Sequence, residues 1–147
     1  KVLSRIELQS RAEIHYESYI KQINIEARTM IDIASKQILP AVVKYKSSVA
    51  QSLSIIKEVE GDTSVEEKLL YDVTENIKLF YKNLRILEEE TAKAHHLQCS
   101  NQEQAVFYRD HVAKAMEELR KPADKLEMLV DEDIWPFPTY GELLFNI

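Results

Sequence analysis

Glycine and proline are scarce in this sequence, and their scarcity argues against several fold classes. The chain has 147 residues but only two glycines and four prolines, whereas average usage would give roughly ten glycines and seven prolines. Gly61 and Gly141 are too few for a dinucleotide-binding fingerprint, a phosphate-binding loop or a series of tight β-hairpins. Dinucleotide enzymes, P-loop NTPases and β-sandwiches are therefore poor candidates.

Cysteine and long apolar runs are lacking as well. Cys99 is the single cysteine, which excludes an internal disulfide framework and fits a reducing, cytosolic setting. No apolar run approaches the roughly 18 residues that a membrane span needs. We therefore expect a cytoplasmic protein without a membrane partner. Because the sequence begins at Lys1 within a helical pattern, we also expect a fragment of a larger chain.

Basic charge is not concentrated in any one part of the chain. Nineteen basic and 25 acidic residues give a net charge of −6, and both signs are spread along the chain. A nucleic-acid partner is not expected, because there is no basic face to follow a phosphate backbone.

Apolar residues recur at alternating steps of three and four, which is the spacing of one face of an α-helix. Three such stripes follow one another: Tyr16, Ile20, Ile23, Ala27, Met30, Ala34, Ile38, Ala41, Tyr45 and Val49; then Val65, Leu69, Val73, Phe80, Leu84, Leu87, Thr91 and Ala94; then Ala105, Tyr108, Val112, Met116, Leu119, Ala123, Leu126 and Val130. Strand-like alternation is absent over any useful length. The sequence predicts an all-α fold.

Turn and capping residues separate the stripes. The pairs Ser4 with Glu7, Thr63 with Glu66, and Ser100 with Glu103 have the spacing of capping boxes, and Gly61 has the place of a left-handed helix cap. We predict one helical domain, 1–147, with helices near 4–60, 64–98 and 101–131 and a tail at 132–147. Short loops make consecutive helices antiparallel, so the expectation is an elongated antiparallel three-helix bundle with an extended aromatic C-terminal tail.

Pro40 and Pro122 lie inside predicted helices. Proline removes a helical hydrogen bond, so Pro40 should kink the first helix or split it into two, giving four helices, and Pro122 should kink the third helix more mildly. We favour a long first helix kinked near Pro40, because the apolar stripe keeps its phase across it. At about 1.5 Å per residue, the second helix then covers the first only back to about residue 26. Residues 1–25 would overhang with apolar side chains that need another partner.

Some apolar residues of the first helix lie opposite the main stripe: Ile14, Ile25, Leu39 and Val43. They are either scattered exposed residues, which are normal, or a second interface toward a parent domain or another subunit. The sequence leaves both interpretations open.

No pattern of catalytic or metal-binding residues emerges. The di-iron carboxylate site of helical bundles needs Glu-x-x-His on two helices, and this motif does not occur. His95 and His96 occupy the end of the second helix, where cations favourably meet the helix dipole, and with only Cys99 nearby they cannot form a four-ligand zinc site. The acidic runs 88–90 and 131–133 are typical of solvated helix surface. We predict no catalytic, cofactor-binding or metal-binding residue.

The tail carries the only tryptophan and two prolines in the sequence Ile134-Trp135-Pro136-Phe137-Pro138-Thr139-Tyr140. Prolines restrict their preceding residues, which predicts an extended segment to about Thr139. The tail either folds back to close its own bundle end or docks on another domain or subunit through aromatic anchors. The candidate interface residues of the chain are Ile14, Ile20, Ile25, Trp135, Phe137, Tyr140, Leu144 and Phe145.

Two segments together resemble a known family. The first runs from Tyr19-Ile20-Lys21-Gln22-Ile23 to Ile38-Leu39-Pro40-Ala41; the second runs from Met116-Glu117-Glu118-Leu119-Arg120 through Pro122 into the tail that ends Leu143-Leu144-Phe145. Their order and spacing are similar to the carboxy-terminal region of the type III glutamine synthetases. Residues 48–115 contribute only helical character to this resemblance.

The resemblance implies a cytoplasmic enzyme of nitrogen assimilation that ligates ammonia to glutamate with ATP and divalent Mg or Mn ions, in a large homo-oligomer. Its catalytic residues lie upstream of the region that this chain resembles, so none is assigned here. We expect a non-catalytic C-terminal helical module, inactive alone, that packs against its own catalytic domain and neighbouring subunits. The alternative is a free-standing, spectrin-like helical spacer or adaptor.

Overall fold

Three long helices make up the fold in a computed structural model that describes residues 4–138, and no β-strand occurs in that range. In chain order the elements are α1 (Arg5–Ile33), a π-helical turn (Ala34–Ile38), α2 (Leu39–Glu58), α3 (Ser64–His96), α4 (Asn101–Phe107), a second π-helical turn (Tyr108–Val112) and α5 (Ala113–Glu127). The first long helix comprises α1 and α2, the second is α3, and the third comprises α4 and α5. The predicted all-α class is confirmed.

Two of the three predicted capping boxes are present. The Ser4 hydroxyl accepts a hydrogen bond from the Glu7 amide at 3.2 Å, while the Ser4 amide donates to the Glu7 carboxylate at 2.7 Å. Ser100 and Glu103 make the same reciprocal pair, at 3.3 and 3.0 Å. Because helix starts leave their first amides unpaired, these two boxes fix where the first and third helices begin.

The third predicted capping box, Thr63 with Glu66, is wrong. Thr63 has φ −113° and ψ 9°, so it lacks the extended backbone that directs a cap hydroxyl toward the next turn. Its hydroxyl contacts the Glu67 carboxylate at 3.1 Å instead. The Asp62 carboxylate accepts from the Ser64 amide at 3.0 Å and takes over part of the capping.

The first helix ends in a Schellman motif that differs from the prediction by one residue. Glu60, and not Gly61, adopts the left-handed conformation, with φ 52°. The amide of Gly61 donates to the Ile56 carbonyl at 3.0 Å and the amide of Glu60 to the Lys57 carbonyl at 3.3 Å. Gly61 is required for a different reason, because a Cβ atom there would lie 2.7 Å from the Ile56 side chain.

Pro40 neither splits the first helix nor leaves it an ordinary α-helix. The π-helical turn at 34–38 directly precedes it, and the Leu39 amide donates to the carbonyl of Ala34, five residues back. A π turn holds one more residue than an α turn, so it rotates all later side chains back by about 100°. The helix stays continuous and changes which face it presents to the core.

That rotation changes the core residues of α2. Leu39, predicted on the outer side, is half-buried and packs against the core, and Val42, which the predicted stripe omitted, is fully buried. Val43 remains exposed. The residues of the predicted stripe after the π turn, Ala41, Tyr45 and Val49, are still buried or half-buried, so Leu39 and Val42 are additions to the predicted stripe.

The core runs along the inside of all three helices. Its largest fully buried side chains are Tyr108, Phe80, Leu84, Leu87, Leu119 and Leu126. In the third helix every residue of the predicted stripe is buried or half-buried; in the second, only Val65 of the predicted stripe is exposed. The periodicity thus identified the core faces of these two helices.

The uncovered part of the first helix is shorter than predicted. The side-chain amide of Asn101, at the start of the third helix, donates to the Glu13 carboxylate at 3.1 Å, and Tyr19, Ile20 and Ile23 pack against the core. The loop at 97–100, whose first and last residues are extended, carries the chain beyond the end of α3 before the third helix begins.

Candidate functional site: apolar surfaces of the first and third helices

Two candidate interface residues of the first helix are exposed on one face. Ile14 is 60% exposed and Ile25 is 64% exposed, and about three full helical turns separate them, so they lie above one another. Ile20, the third candidate in this helix, is half-buried and packs against the core of its own chain. The structure therefore keeps Ile14 and Ile25 as surface candidates and places Ile20 at the edge of the core.

The start of the first helix is also apolar and uncovered. Ile6 is 81% exposed and Leu8 is 61% exposed, and both precede Glu13, where the third helix begins alongside. Isolated exposed apolar residues are ordinary. Four of them within the first 25 residues, on a helix otherwise rich in charge, indicate a surface that another part of a protein can cover.

An open apolar groove lies between the first and third helices. These helices contact each other along α4 and separate toward α5, leaving a groove of about 520 Å³. It is lined by Ile25, Glu26, Thr29, Met30, Ile33, Ala34, Ile38, Phe80, Met116, Leu119, Arg120 and Ala123. Phe80 of the second helix is buried beneath it, and the small side chains of Ala34 and Ala123 leave the space open.

Sequence reasoning missed this groove because most of its lining residues belong to the predicted core stripes. The spacing of apolar residues identifies which face of a helix is buried. It does not give the distance between that helix and the next one. The available signal was the pair of alanines, Ala34 and Ala123, at positions where larger apolar residues would fill a seam.

The tail turns back at the end of the third helix. The amides of Ile134 and Trp135 both donate to the carbonyl of Asp131, at 3.0 and 2.9 Å, and the Asp131 side chain accepts from the Asp133 amide at 2.9 Å. The expected extended segment is therefore a turn over 131–135. Proline restricts only its own residue and the preceding one, so the restriction begins at Trp135 and leaves 131–134 free to turn.

Tail residues within the turn and directly after it pack against the core of their own chain. Ile134, Trp135 and Phe137 are half-buried there, and the Trp135 and Phe137 rings meet edge to face with centroids 6.3 Å apart. The indole Nε1 of Trp135 is buried and has no hydrogen-bond partner among the described residues. The remaining tail candidates, Tyr140, Leu144 and Phe145, lie outside the described residues.

The pKa of Tyr45 indicates which part of the first helix lies near the turn at 131–135. Burial, and after it the nearby carboxylate of Asp131, raises the pKa of the Tyr45 phenol. The start of the tail therefore lies near Tyr45 of α2, about two turns from Ile38 at the end of the groove.

The histidines and the cysteine do not form a site. His95 and His96 lie in the last turn of α3, and Cys99 is exposed. His111 is 3.5 Å from the Glu90 carboxylate and stacks on Phe107. Within residues 4–138 no three His, Cys, Asp or Glu side chains come close enough to hold a metal ion, so this part does not fit the divalent ions that the resemblance implies for a whole enzyme.

No helix in the described part of the chain is both long and apolar enough to span a bilayer.

Comparison with known proteins finds similarity to the glutamine synthetases. Residues 1–57 match the family model of the glutamine synthetase C-terminal domain. Over 98% of its length the chain is 33% identical to a type-3 glutamine synthetase from Dictyostelium discoideum. Over 99% of its length it is 33% identical to a glutamine synthetase from Butyrivibrio fibrisolvens, and 29% identical to one from Bacteroides fragilis (strain YCH46).

The chain spans only about a fifth of these relatives, between 20% and 21% of each. The matched domain model begins at the first residue of the chain and covers most of the first long helix. The similarity to the carboxy-terminal region of the type III glutamine synthetases, predicted from the two segments and the tail, is thereby confirmed.

Proposed function

We propose that this chain is the non-catalytic C-terminal helical module of a glutamine synthetase, an enzyme that ligates ammonia to glutamate with ATP in the cytoplasm. In this proposal the module packs against the catalytic part of the same protein and against neighbouring subunits of a homo-oligomer. The names of the three relatives support the parent activity. Their greater length supports a further part of the protein for the module to pack against.

The observation that carries the packing role is the exposed apolar face of Ile14 and Ile25. Burying such side chains removes apolar area from water and stabilises an interface by roughly 25 cal/mol per Å². The exposed Ile6 and Leu8 continue an apolar surface toward the start of the chain. An elongated antiparallel arrangement of the three helices would present this surface at one end.

We assign ATP and the Mg or Mn ions to the remainder of the enzyme. In the described residues the carboxylates form surface ion pairs instead of a cluster: Glu90 pairs with Lys93 at 2.6 Å and Asp72 with Lys68 at 2.8 Å. Pairs of this kind are solvated and contribute little to stability. They leave the carboxylates dispersed over separate turns, which suits a packing module better than a catalytic one.

The alternative of a free-standing helical adaptor has no support from the comparisons, since all three relatives are glutamine synthetases by name. It also leaves the exposed start of the first helix without a role.

The test is Ile14→Asp in the full-length protein that contains this chain. Placing a charge in an apolar interface costs several kcal/mol unless it is paired, so the assembled fraction measured by light scattering should fall, together with glutamine formation. The matched control is Ile55→Asp, because Ile55 is 63% exposed on the same long helix but far from Ile14.

We expect Ile55→Asp to keep both the mass and the activity. If Ile14→Asp also keeps the parent mass and activity, the packing role of this face is wrong.

A further inference from the structure

Another pocket lies between α1 and α3, apart from the apolar groove. Its volume of about 380 Å³ is within the range of sites that hold small molecules. Arg28 lines it from α1, and Thr91, His95 and His96 line it from the last turns of α3. Thr91 and His95 are four residues apart, so they lie on the same face of their helix. The pocket therefore collects hydrogen-bond donors from two helices.

The basic side chains of this pocket lack carboxylate partners. In the described part of the chain Arg28 forms no ion pair, and Asp32, one turn later, pairs with Lys36 instead. His95 and His96, which build no metal site, form no ion pair in that part either. The two imidazole rings meet edge to face with centroids 5.3 Å apart. Three basic side chains thus border one pocket without a counter-charge of their own.

One carboxylate, that of Glu88, also lines the pocket. It is already paired with the guanidinium of Arg85 at 2.5 Å, so its negative charge is offset from within its own helix. An anion that enters the pocket therefore meets an excess of unpaired basic groups, although the chain as a whole has a net charge of −6.

Thr91 supplies an independent indication of a ligand. The residue is only 6% exposed, and its hydroxyl oxygen is buried with no hydrogen-bond partner among the described residues. A buried hydroxyl without a partner is costly. Because Thr91 lines the pocket, an oxygen atom of a bound anion can supply the missing acceptor.

We propose that this pocket binds the phosphate group of a small phosphorylated molecule. The Arg28 guanidinium can donate two parallel hydrogen bonds to phosphate oxygens, each imidazole can donate at least one, and the Thr91 hydroxyl can donate another. A phosphate group has more acceptor oxygens than a carboxylate and suits this number of donors better. The pocket is larger than a phosphate ion, which leaves room for an organic part against Ile31. The proposal does not depend on the assembly role of the apolar face.

Histidine modification in the full-length protein tests the site. Diethyl pyrocarbonate carbethoxylates exposed imidazoles, and both His95 and His96 are exposed. Their modification rates are followed by mass spectrometry of peptides with inorganic phosphate, with phenyl phosphate, or with sodium chloride at matched ionic strength. His15 is the internal control, because it is exposed and does not line the pocket.

We expect saturating phosphate to slow the modification of His95 and His96 at least about fivefold, because the bound anion occupies their N–H groups. His15 should react at the same rate throughout. If the two histidines only meet the dipole of their own helix, phosphate gives no protection and the proposal is wrong. Equal protection by sodium chloride, or histidines that are unreactive from the outset because another part of the enzyme covers them, also overturns it.

Two variants locate the protection in this pocket. Arg28→Gln should abolish it, whereas Arg11→Gln, exposed on the same helix outside the pocket, should keep it. Thr91→Val keeps the shape of the side chain and removes its hydroxyl, so half-protection should need at least about fivefold more phosphate. Undiminished protection in Arg28→Gln contradicts the proposal.

Phenyl phosphate and benzoate test the chemical class of the ligand. Phenyl phosphate should protect at a concentration several-fold lower than inorganic phosphate, because its ring can remove the apolar surface of Ile31 from water. Benzoate, which carries the same ring on a carboxylate, should protect much less. Equal protection by benzoate overturns the assignment to phosphate, and no gain from the phenyl ring overturns the assignment to a phosphorylated organic molecule.

Discussion

Pro40 and Pro122 both interrupt the hydrogen bonds of a long helix, but the structure accommodates them differently. Pro40 and Lys36 are exposed, and a π-helical turn precedes the proline. Pro122 is buried inside the regular helix α5. The carbonyl of Glu118, four residues earlier, has no amide hydrogen from Pro122 to accept.

Asn83 of the second helix supplies the missing donor at the buried site. Its side-chain amide nitrogen lies 2.7 Å from the Glu118 carbonyl oxygen, and Asn83 is only 9% exposed. At the exposed site, water can reach the carbonyl of Lys36, so no side chain is required. The comparison shows that a proline within a helix needs a protein partner only where solvent is excluded.

The largest effect is expected at the buried site. Asn83→Ala removes the donor and should lower the free energy of unfolding by about 2 kcal/mol, measured by urea denaturation. Asn76→Ala is the matched control, because Asn76 also donates to a backbone carbonyl, that of Asp72 at 2.8 Å, within the same helix. The Asp72 carbonyl already accepts a hydrogen bond from the helical amide four residues later. Losing the additional bond from the Asn76 side chain should therefore lower the free energy of unfolding by less than about 1 kcal/mol.

A double-mutant cycle sharpens this prediction. Pro122→Ala restores an amide hydrogen for the Glu118 carbonyl, so Asn83→Ala should cost about 1 kcal/mol less in that background. Equal costs in both backgrounds would show that Asn83 does not compensate for the proline.

A smaller effect of opposite sign is expected at the exposed end of the first helix. Glu60 holds a left-handed backbone, φ 52°, that costs a residue with a Cβ atom about 1 kcal/mol. Glu60→Gly should therefore raise the melting temperature. Glu58→Gly, at the last residue of α2, should lower it, because glycine weakens an ordinary helical position. A lower melting temperature for Glu60→Gly would contradict the Schellman geometry.

The smallest effect is expected at the exposed proline. Pro40→Ala should change the free energy of unfolding by less than about 1 kcal/mol, because the π turn and solvent already accommodate the missing amide. A loss as large as that of Asn83→Ala would remove the distinction between the two prolines. Lys44→Ala, exposed on the same helix, serves as the control in the same denaturation series.

The sequence predicted what depends on local chemistry. The stripes located the three helices, and the Ser4 and Ser100 boxes located two helix starts, because both signals involve residues within one or two turns. It failed where backbone geometry departs from 3.6 residues per turn. The π turn at 34–38 changed the facing of Leu39 and Val42, and Glu60 took the left-handed position expected of Gly61.

The features of the candidate surfaces also differ in whether local sequence could predict them. Ile14 and Ile25 could be placed on the outer face from spacing alone, because α1 is a regular helix between them. The groove, the place of Ile20 at the edge of the core and the bond from Asn83 to Glu118 depend on how far apart the helices lie. That distance follows from the sizes of side chains on separate elements, which no single stripe contains.

The π turn before Pro40 has a consequence for reading related sequences. Deleting one residue between 34 and 38 would convert it to an ordinary α turn and leave every later residue of α2 facing as before, because the π turn holds one extra residue without turning the helix further. A relative one residue shorter at this place could therefore keep the same buried residues. An alignment gap there would mark a relative that lacks the π turn, with the same face of α2 still turned to the core.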